Sequence, residues 1–331
     1  MKKKEKAKVR QNVKIIGVLN HGKNLKEYAI TDSSKFYSDV NFYIDNTNNI
    51  ISSNFYLNEA VKDNTNASII NNYGMLFEKI NINDAKIILK QTVVLDSVLA
   101  GRFTFNLNHE KKDVYIPRNN HILLDGNDGY FLITEQYQSP VQSGFWLSPP
   151  SGPPITMQSS NFGSIPGSAP GVGGFSGAPT TGGTTGGGYL WAYQNILIIH
   201  INKEGRIVEQ QVINRKLKEC GVTLSYASYY PAITKNNDLC LIFNDNEDNV
   251  YLFEKRIDYE KYKSVDWPRG AISVAEKVGA GTNVYLKPIE TKSGLQIMPS
   301  KCYELSKGNL IFYSAKPQAD KSGQLINLHI E

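Results

Sequence analysis

The chain has 331 residues, of which 40% are apolar and 11% aromatic, enough for a substantial core in one to three domains and too apolar for a disordered chain. Its net charge of +5 suggests nucleic acid until it is located: Lys2, Lys3, Lys4, Lys6, Lys8 and Arg10, offset by Glu5, account for all of it. Residues 1–12 therefore read as a basic, solvated arm on a nearly neutral body, with no stripe of basic and aromatic residues for nucleic acid to stack on and no run near the roughly 18 apolar residues of a membrane-spanning helix.

From residue 13 onward one pattern recurs. Ile15-Ile-Gly-Val-Leu-Asn-His-Gly22 reads as a strand closed by a Gly turn. A hairpin turn and strand follow at Asp45-Asn-Thr-Asn-Asn-Ile-Ile-Ser-Ser-Asn-Phe-Tyr56, then an isoleucine-rich strand at Met75-Leu-Phe-Glu-Lys-Ile-Asn-Ile-Asn83. The same pair returns at Asp125-Gly-Asn-Asp-Gly-Tyr-Phe-Leu-Ile-Thr-Glu-Gln-Tyr137 and Ile196-Leu-Ile-Ile-His-Ile-Asn-Lys-Glu-Gly205. It appears again at Lys235-Asn-Asn-Asp-Leu-Cys-Leu-Ile-Phe243 with Val284-Tyr-Leu-Lys-Pro-Ile-Glu-Thr-Lys-Ser-Gly294, and lastly at Ser306-Lys-Gly-Asn-Leu-Ile-Phe-Tyr313 with Leu325-Ile-Asn-Leu-His-Ile330. Asn, Asp and Gly at the turns supply the left-handed backbone a tight hairpin needs.

Aligning the hairpins places Asn49, Gly129, Asp238 and Gly308 in register, at separations of 80, 109 and 70 residues. The middle spacing contains a Gly/Pro/Ser-rich insertion at 139–188 that cannot form a core; without its 50 residues the spacing is 59. Units of that size hold about four strands. The expected fold is all-β: a β-propeller-like array of about four to five four-stranded repeats in a single domain, residues 13–331, either an incomplete arc, a closed ring or part of a larger ring. The units fall at 13–31, 38–95, 119–213, 226–298 and 300–331. Ile51, Phe131, Leu239 and Ile311 are expected to lie between adjacent sheets, since one sheet cannot cover both of its own faces.

Chemistry is harder to find. His200 invites a reading as a general base, but the equivalent positions hold Lys79, Pro288 and His329, which argues for a solvated site. His21, His109 and His121 share no metal-ligand spacing. Asn244-Asp-Asn-Glu-Asp-Asn249 lacks the central Gly and distal Glu of a calcium loop and reads as turn chemistry. Cys220, Cys240 and Cys302 form no Cys-x-x-Cys pair; Cys240 reads as a small buried hydrophobe, and a Cys220–Cys302 bridge is left open. Gly-x-Ser-x-Gly, the phosphate-binding Gly-x-x-x-x-Gly-Lys-Ser/Thr and His-Glu-x-x-His are all absent, so no cofactor, metal or catalytic residue is expected. Glu135, Asp245 and Glu290 sit near strand ends of different repeats, and a glycoside hydrolase with carboxylates gathered at a propeller axis is the rival reading.

The runs Asn127–Tyr137, Gln194–Ile207 and Leu241–Asn246 resemble segments of the β-propeller-like repeat proteins of Bacteroidetes cell envelopes, across most of the chain outside the insertion and the basic arm. The resemblance carries no catalytic residues across. It implies periplasm or cell surface, whereas the basic segment running directly into Val13–Leu19 is no signal peptide and implies cytoplasm if Met1 is the true start. The leading expectation is a non-enzymatic scaffold presenting its surface to a protein or glycan partner in an envelope-associated assembly, such as secretion or motility machinery. Aromatic anchors at the insertion rim, Trp146, Trp191 and Tyr193, are the expected contacts.

Overall fold

The computed structural model describes residues 14–19, 24–29, 36–45, 47–57, 73–94, 113–140, 190–215, 217–220, 226–251, 265–266, 271–279, 282–289, 295–316 and 319–331. The basic arm at 1–12, His21, His109, Trp146, Glu290 and residues 141–188 of the insertion lie outside the described residues, while its first two residues, Ser139 and Pro140, end a strand. What is described is nearly all β-strand, arranged in small antiparallel sheets.

Sheet 1 pairs β1 (Lys14–Leu19) with β2 (Asn24–Ala29). Sheet 2 is a four-stranded meander of β3 (Phe36–Ile44), β4 (Asn49–Leu57), β5 (Tyr73–Asn81) and β6 (Ile87–Val94). Sheet 3 runs through β7 (Asp113–Leu124), β8 (Tyr130–Pro140) and β9 (Leu190–Ile201). On the outer side of β9 it carries β10 (Ile207–Ile213) and then β11 (Leu217–Cys220). Sheet 4 is β12 (Tyr229–Ile233), β13 (Leu239–Asn246), β15 (Ala271–Gly279) and β16 (Thr282–Pro288); between its middle strands lie a five-residue helix, α1 (Glu247–Tyr251), and β14 (Val265–Asp266), which pairs in parallel with β11 of sheet 3. Sheet 5 is β17 (Gln296–Ser306), β18 (Asn309–Lys316) and β19 (Ala319–His329).

The sheets stack face to face, and the period-2 alternation of each strand sorts its side chains between two neighbours. On β4, Ile50 packs with Tyr28 of sheet 1 while Ile51 packs with β8 and β9 residues of sheet 3. On β8, Tyr130 and Leu132 face sheet 2, and Phe131 and Ile133 face sheet 4. On β13, Leu239, Leu241 and Phe243 face sheet 3, and Cys240 and Ile242 face sheet 5. Leu310 and Phe312 of β18 complete that last interface.

Three details differ from the sequence reading. Leu239 is buried between sheets but points back to sheet 3; the residue equivalent to Ile51 and Phe131 is Cys240, two beyond the turn in each case. In sheet 5 the hairpin closes on Ser306 paired with Asn309, so Asn309 rather than Gly308 matches Asn49; Ile311 then occupies the same forward-pointing row, and it is only half-buried. The acidic stretch at 244–249 ends β13 and opens α1 rather than forming a turn alone. Cys240 is buried as expected, and Cys302 is a free, half-buried thiol.

This stacking predicts that side chains between sheets carry the stability. Leu241→Ala, at a fully buried position, costs about 2–5 kcal/mol, whereas Leu325→Ala, at a position 72% exposed, changes stability by less than about 0.5 kcal/mol. Urea unfolding monitored by circular dichroism measures both.

Candidate functional site

The hairpins that join the first two strands of sheets 2, 3 and 4 share one atomic frame. In Asp45–Asn49 the Asp45 carboxylate accepts the backbone N–H groups of Thr47 and Asn49, each at 2.9 Å. In Asp125–Gly129, Asp125 Oδ1 accepts from Asn127 at 2.7 Å and Gly129 at 2.8 Å. In Thr234–Asp238 the Thr234 hydroxyl takes the same role toward Asn236 and Asp238. The fourth loop residue adopts the left-handed region each time: Asn48 at φ 60°, Asp128 at 65° and Asn237 at 69°. The β9–β10 turn repeats the frame with Asn202 and Gly205.

These turns line up along one end of the stack. A Cβ on Gly126 would meet Asn237 Oδ1 at 2.4 Å, and the Lys307 ammonium reaches the same amide oxygen. Between sheets 3 and 4 the row opens into a cleft of about 170 Å³. Its polar wall comprises Asp125, Asn127, His200, Glu209, Asn237 and Asp238, over an apolar floor that includes Phe131 and Leu239.

Asp125 organises this cleft. Its second carboxylate oxygen lies 2.8 Å from His200 Nε2, and the imidazole stacks on Phe131 with ring centroids 4.4 Å apart. Gly129 allows this arrangement, since a Cβ there would stand 2.4 Å from Asp125 Oδ2 and 2.7 Å from the Ile201 carbonyl. Burial alone raises the Asp125 pKa, but the His200 hydrogen bond and the N–H groups of Asn127 and Gly129 outweigh it, and the net shift is downward. His200 is thus engaged by Asp125, and among the described residues no Ser, Thr or Cys lines the cleft beside it.

The preceding sheet holds the same device in another chemical form. Lys79, at the position equivalent to His200, lies 3.2 Å from Asp45 Oδ2 and donates to the Tyr130 hydroxyl of sheet 3 at 3.0 Å. Burial pushes the Asp45 pKa up, but hydrogen bonds from Asn49, Thr47 and Lys79 bring it below the ordinary carboxylate value. The third equivalent, His329, bonds Asn309.

Of the carboxylates considered for glycoside hydrolysis, the two within the described residues, Glu135 and Asp245, are engaged elsewhere. Glu135 and Arg215 form an ion pair with both side chains fully buried. The guanidinium also donates to the Ser228 carbonyl at 3.3 Å and lies 5.7 Å from the Phe243 ring centroid, so it bridges sheets 3 and 4. Asp245 accepts from the Asn249 amide at 2.9 Å and the Asn246 N–H at 2.7 Å. Among the described residues no cluster of three His, Cys, Asp or Glu side chains is placed to hold a metal ion. His121 packs edge-on against Tyr229 at 5.0 Å.

Trp191 and Tyr193 lie within β9, in register with Glu219 and Leu217 of β11, and Tyr193 also pairs with Tyr137 of β8. They are strand residues next to the point where the insertion returns. Sequence reasoning missed Asp125, Glu135–Arg215 and the Lys79–Tyr130 bridge as contacts. The Asp-x-x-x-(Asn/Gly) spacing carried a signal for the first, and the other two join residues 80 and 51 positions apart with no local mark.

No family model matches the chain, and no curated protein matches it.

Two predictions follow from these contacts. A carboxylate held below its ordinary pKa adds stability at neutral pH, fully present above the unfolded value near ~4 and lost as pH falls through the folded value. Thermal melts from pH 7 toward acid will therefore show Asp125→Asn less stable than the wild type at pH 7, with the gap closing as Asp125 protonates; a constant gap contradicts this. Arg215→Met strands the buried Glu135 charge and costs about 3–5 kcal/mol, whereas adding Glu135→Leu recovers most of it. A double-mutant cycle by urea unfolding reads the coupling.

Proposed function

We propose that this protein is a propeller-like, non-enzymatic platform that presents the Gly/Pro/Ser-rich insertion and its flanking strand end to a protein or glycan partner. Four sheets in succession begin with strands that approach one another in order, β3 to β7, β7 to β12 and β12 to β17. First strands adjacent in this way, with faces stacked and turns aligned at one end, are what a propeller's inner strands require. The placement in an envelope-associated assembly rests on the resemblance in the segments around Tyr130, Ile199 and Phe243.

The observation that carries the platform reading is where the chain's charge is spent. Among the described residues Asp45 with Lys79, Asp125 with His200 and Glu135 with Arg215 are paired in the stack, and the buried Glu78 is met at its edge by an exposed Lys90. Groups committed to one another hold sheets in place and are costly to divert to a substrate. The insertion leaves sheet 3 after β8 and returns at β9, whose register runs from Tyr130–Ile201 beside the turn row to Gln138–Ala192 at the far end. The strand ends that it joins, Pro140 and Leu190, therefore lie at the end of the stack opposite the Asp125 cleft. No helix among the described residues is long and apolar enough to cross a membrane, which says nothing of a β-barrel.

Replacing residues 141–189 by a two-residue Asn-Gly hairpin turn tests the proposal. The paired segment from Tyr130 to Glu135 remains, so the melting temperature stays within a few degrees. Retention of glycans on an array, or of cross-linked envelope proteins on immobilised chain, falls at least tenfold, and Trp146→Ala, Trp191→Ala and Tyr193→Ala each weaken it. Capture that survives the deletion unchanged refutes the placement.

A further inference from the structure

The cleft beside Asp125 differs from the equivalent place one sheet earlier, and the difference shows what it lacks. Tyr130 stands one residue beyond the Asp125–Gly129 turn and sends its phenol across to sheet 2. Its hydroxyl accepts from Lys79 at 3.0 Å, the Lys79 ammonium lies 5.6 Å from the ring centroid, and the ring packs on Phe77 with centroids 5.3 Å apart. Tyr130 is 2% exposed, so that space is closed. Between sheets 3 and 4 the pairing repeats, with His200 beside Phe131 as Lys79 is beside Ile51, and with Leu239 one residue beyond the Thr234–Asp238 turn. Leu239 is shorter than tyrosine by most of a ring and carries no hydroxyl, while the His200 imidazole turns to Asp125 at 2.8 Å and lies on Phe131. Sheet 4 therefore sends no hydroxylated ring across from that position, and a cleft of about 170 Å³ stands there.

The lining narrows what can enter. Asp125, Asn127, His200, Glu209, Asn237 and Asp238 form its wall, and the open part of its floor is Phe131 and Val278, 8% and 7% exposed. The wall mixes roles: the carboxylates accept, the amides both donate and accept, and each imidazole nitrogen does one or the other. Neighbours hold these groups in place, since Glu209 accepts from the Gln211 amide, Asn237 from the Lys307 ammonium, and Asp125 from the Asn127 and Gly129 N–H groups. A ring with several hydroxyls on its rim and C–H groups on its face satisfies such a wall and floor together, whereas a phenol brings one hydroxyl and an alkylammonium none. At ~30 Å³ per water the cleft holds about six waters, and it is well short of the ~300 Å³ of a drug-sized pocket, so it takes one ring and not a chain of them.

We propose that the cleft between sheets 3 and 4 binds a single pyranose ring, with its hydroxyls on the wall around Asp125, His200 and Asp238 and its C–H face over Phe131 and Val278. The ring takes the place that the phenol of Tyr130 fills between sheets 2 and 3. A wall already fixed by its neighbours loses little freedom on binding, but one small ring offers few contacts, so the dissociation constant is on the order of 1 mM. The strand ends joined by the insertion lie at the other end of the stack, so this site stands or falls independently of the partner proposed there.

Saturation-transfer NMR on the full chain tests this, with the methyl glycosides of glucose, galactose, mannose and N-acetylglucosamine titrated from about 0.1 to about 20 mM. At least one of the four binds with a dissociation constant on the order of 1 mM. Asn127→Ala and Glu209→Ala, at an exposed and a half-buried position, leave the melting temperature unchanged, each weaken that binding about fivefold, and together abolish it. The double variant His200→Lys with Leu239→Tyr, which rebuilds in sheet 4 the bridge made by Lys79 and Tyr130, also abolishes it while the chain stays folded by circular dichroism. Four glycosides that all fail to bind overturn the proposal, as does binding untouched by the Asn127 and Glu209 substitutions. So does a cleft that takes p-cresol or n-butylammonium in preference to every glycoside.

Discussion

Burial of alternate side chains between successive sheets is the interaction on which the molecule depends, and it imposes an unusual condition on the strands. A half-buried strand needs an apolar residue at every second position. Here the middle strands β8, β9 and β13 are covered on both faces, so Tyr130-Phe-Leu-Ile133, Ile196-Leu-Ile-Ile199 and Leu239-Cys-Leu-Ile-Phe243 are apolar without interruption. Continuous apolar strands stack well, but they do not say which residue belongs to which face. A slip of one position would exchange Tyr130 and Leu132 for Phe131 and Ile133 at almost no hydrophobic cost.

Register must therefore come from the turns. The Asp45, Asp125 and Thr234 frames fix two backbone N–H groups on one side-chain oxygen and place a left-handed residue at the fourth loop position. A shifted hairpin would lose those bonds. The frames also join neighbouring sheets: Lys79 ties the Asp45 turn to Tyr130, and Asn237 fills the space over Gly126. One short motif thus sets the pairing within a sheet and the alignment between sheets.

This division of labour explains what could be read from the chain. The turns are local and chemically marked, so Asn49, Gly129 and Asp238 align by inspection and the all-β character follows from them. Which face each residue takes was less legible, because a strand such as Leu239–Phe243 is apolar on both sides; Leu239 and Cys240 differ only by counting from the turn. Contacts between distant segments left no trace. Nothing near Val265–Asp266 announces that it will pair with Leu217–Lys218, and nothing near Lys79 announces Tyr130. The cleft around Asp125 and His200 was half legible: the turn showed, but the imidazole that completes it lies 75 residues away.

The buried ion pair supplies what apolar stacking lacks. β10 and β11 are both laid along β9, and the break between them falls at Asn214 and Arg215, where the Arg215 N–H bonds the Asn195 side chain at 3.2 Å. The interruption turns the Arg215 side chain out of its own sheet, toward Ser228 and Phe243 of sheet 4 with Glu135 beneath it. Rows such as Ile196 and Ile198 can slide against Leu239 and Leu241 for little energy, since apolar contacts are non-directional. A guanidinium shifted by one residue instead loses its carboxylate in a region closed to water, and the penalty is several kcal/mol. The pair adds little to the depth of the native state relative to an apolar substitute, yet it makes the neighbouring packings of sheet 3 on sheet 4 far worse, and so the order of the stack rests on a contact that the hydrophobic pattern alone would never require.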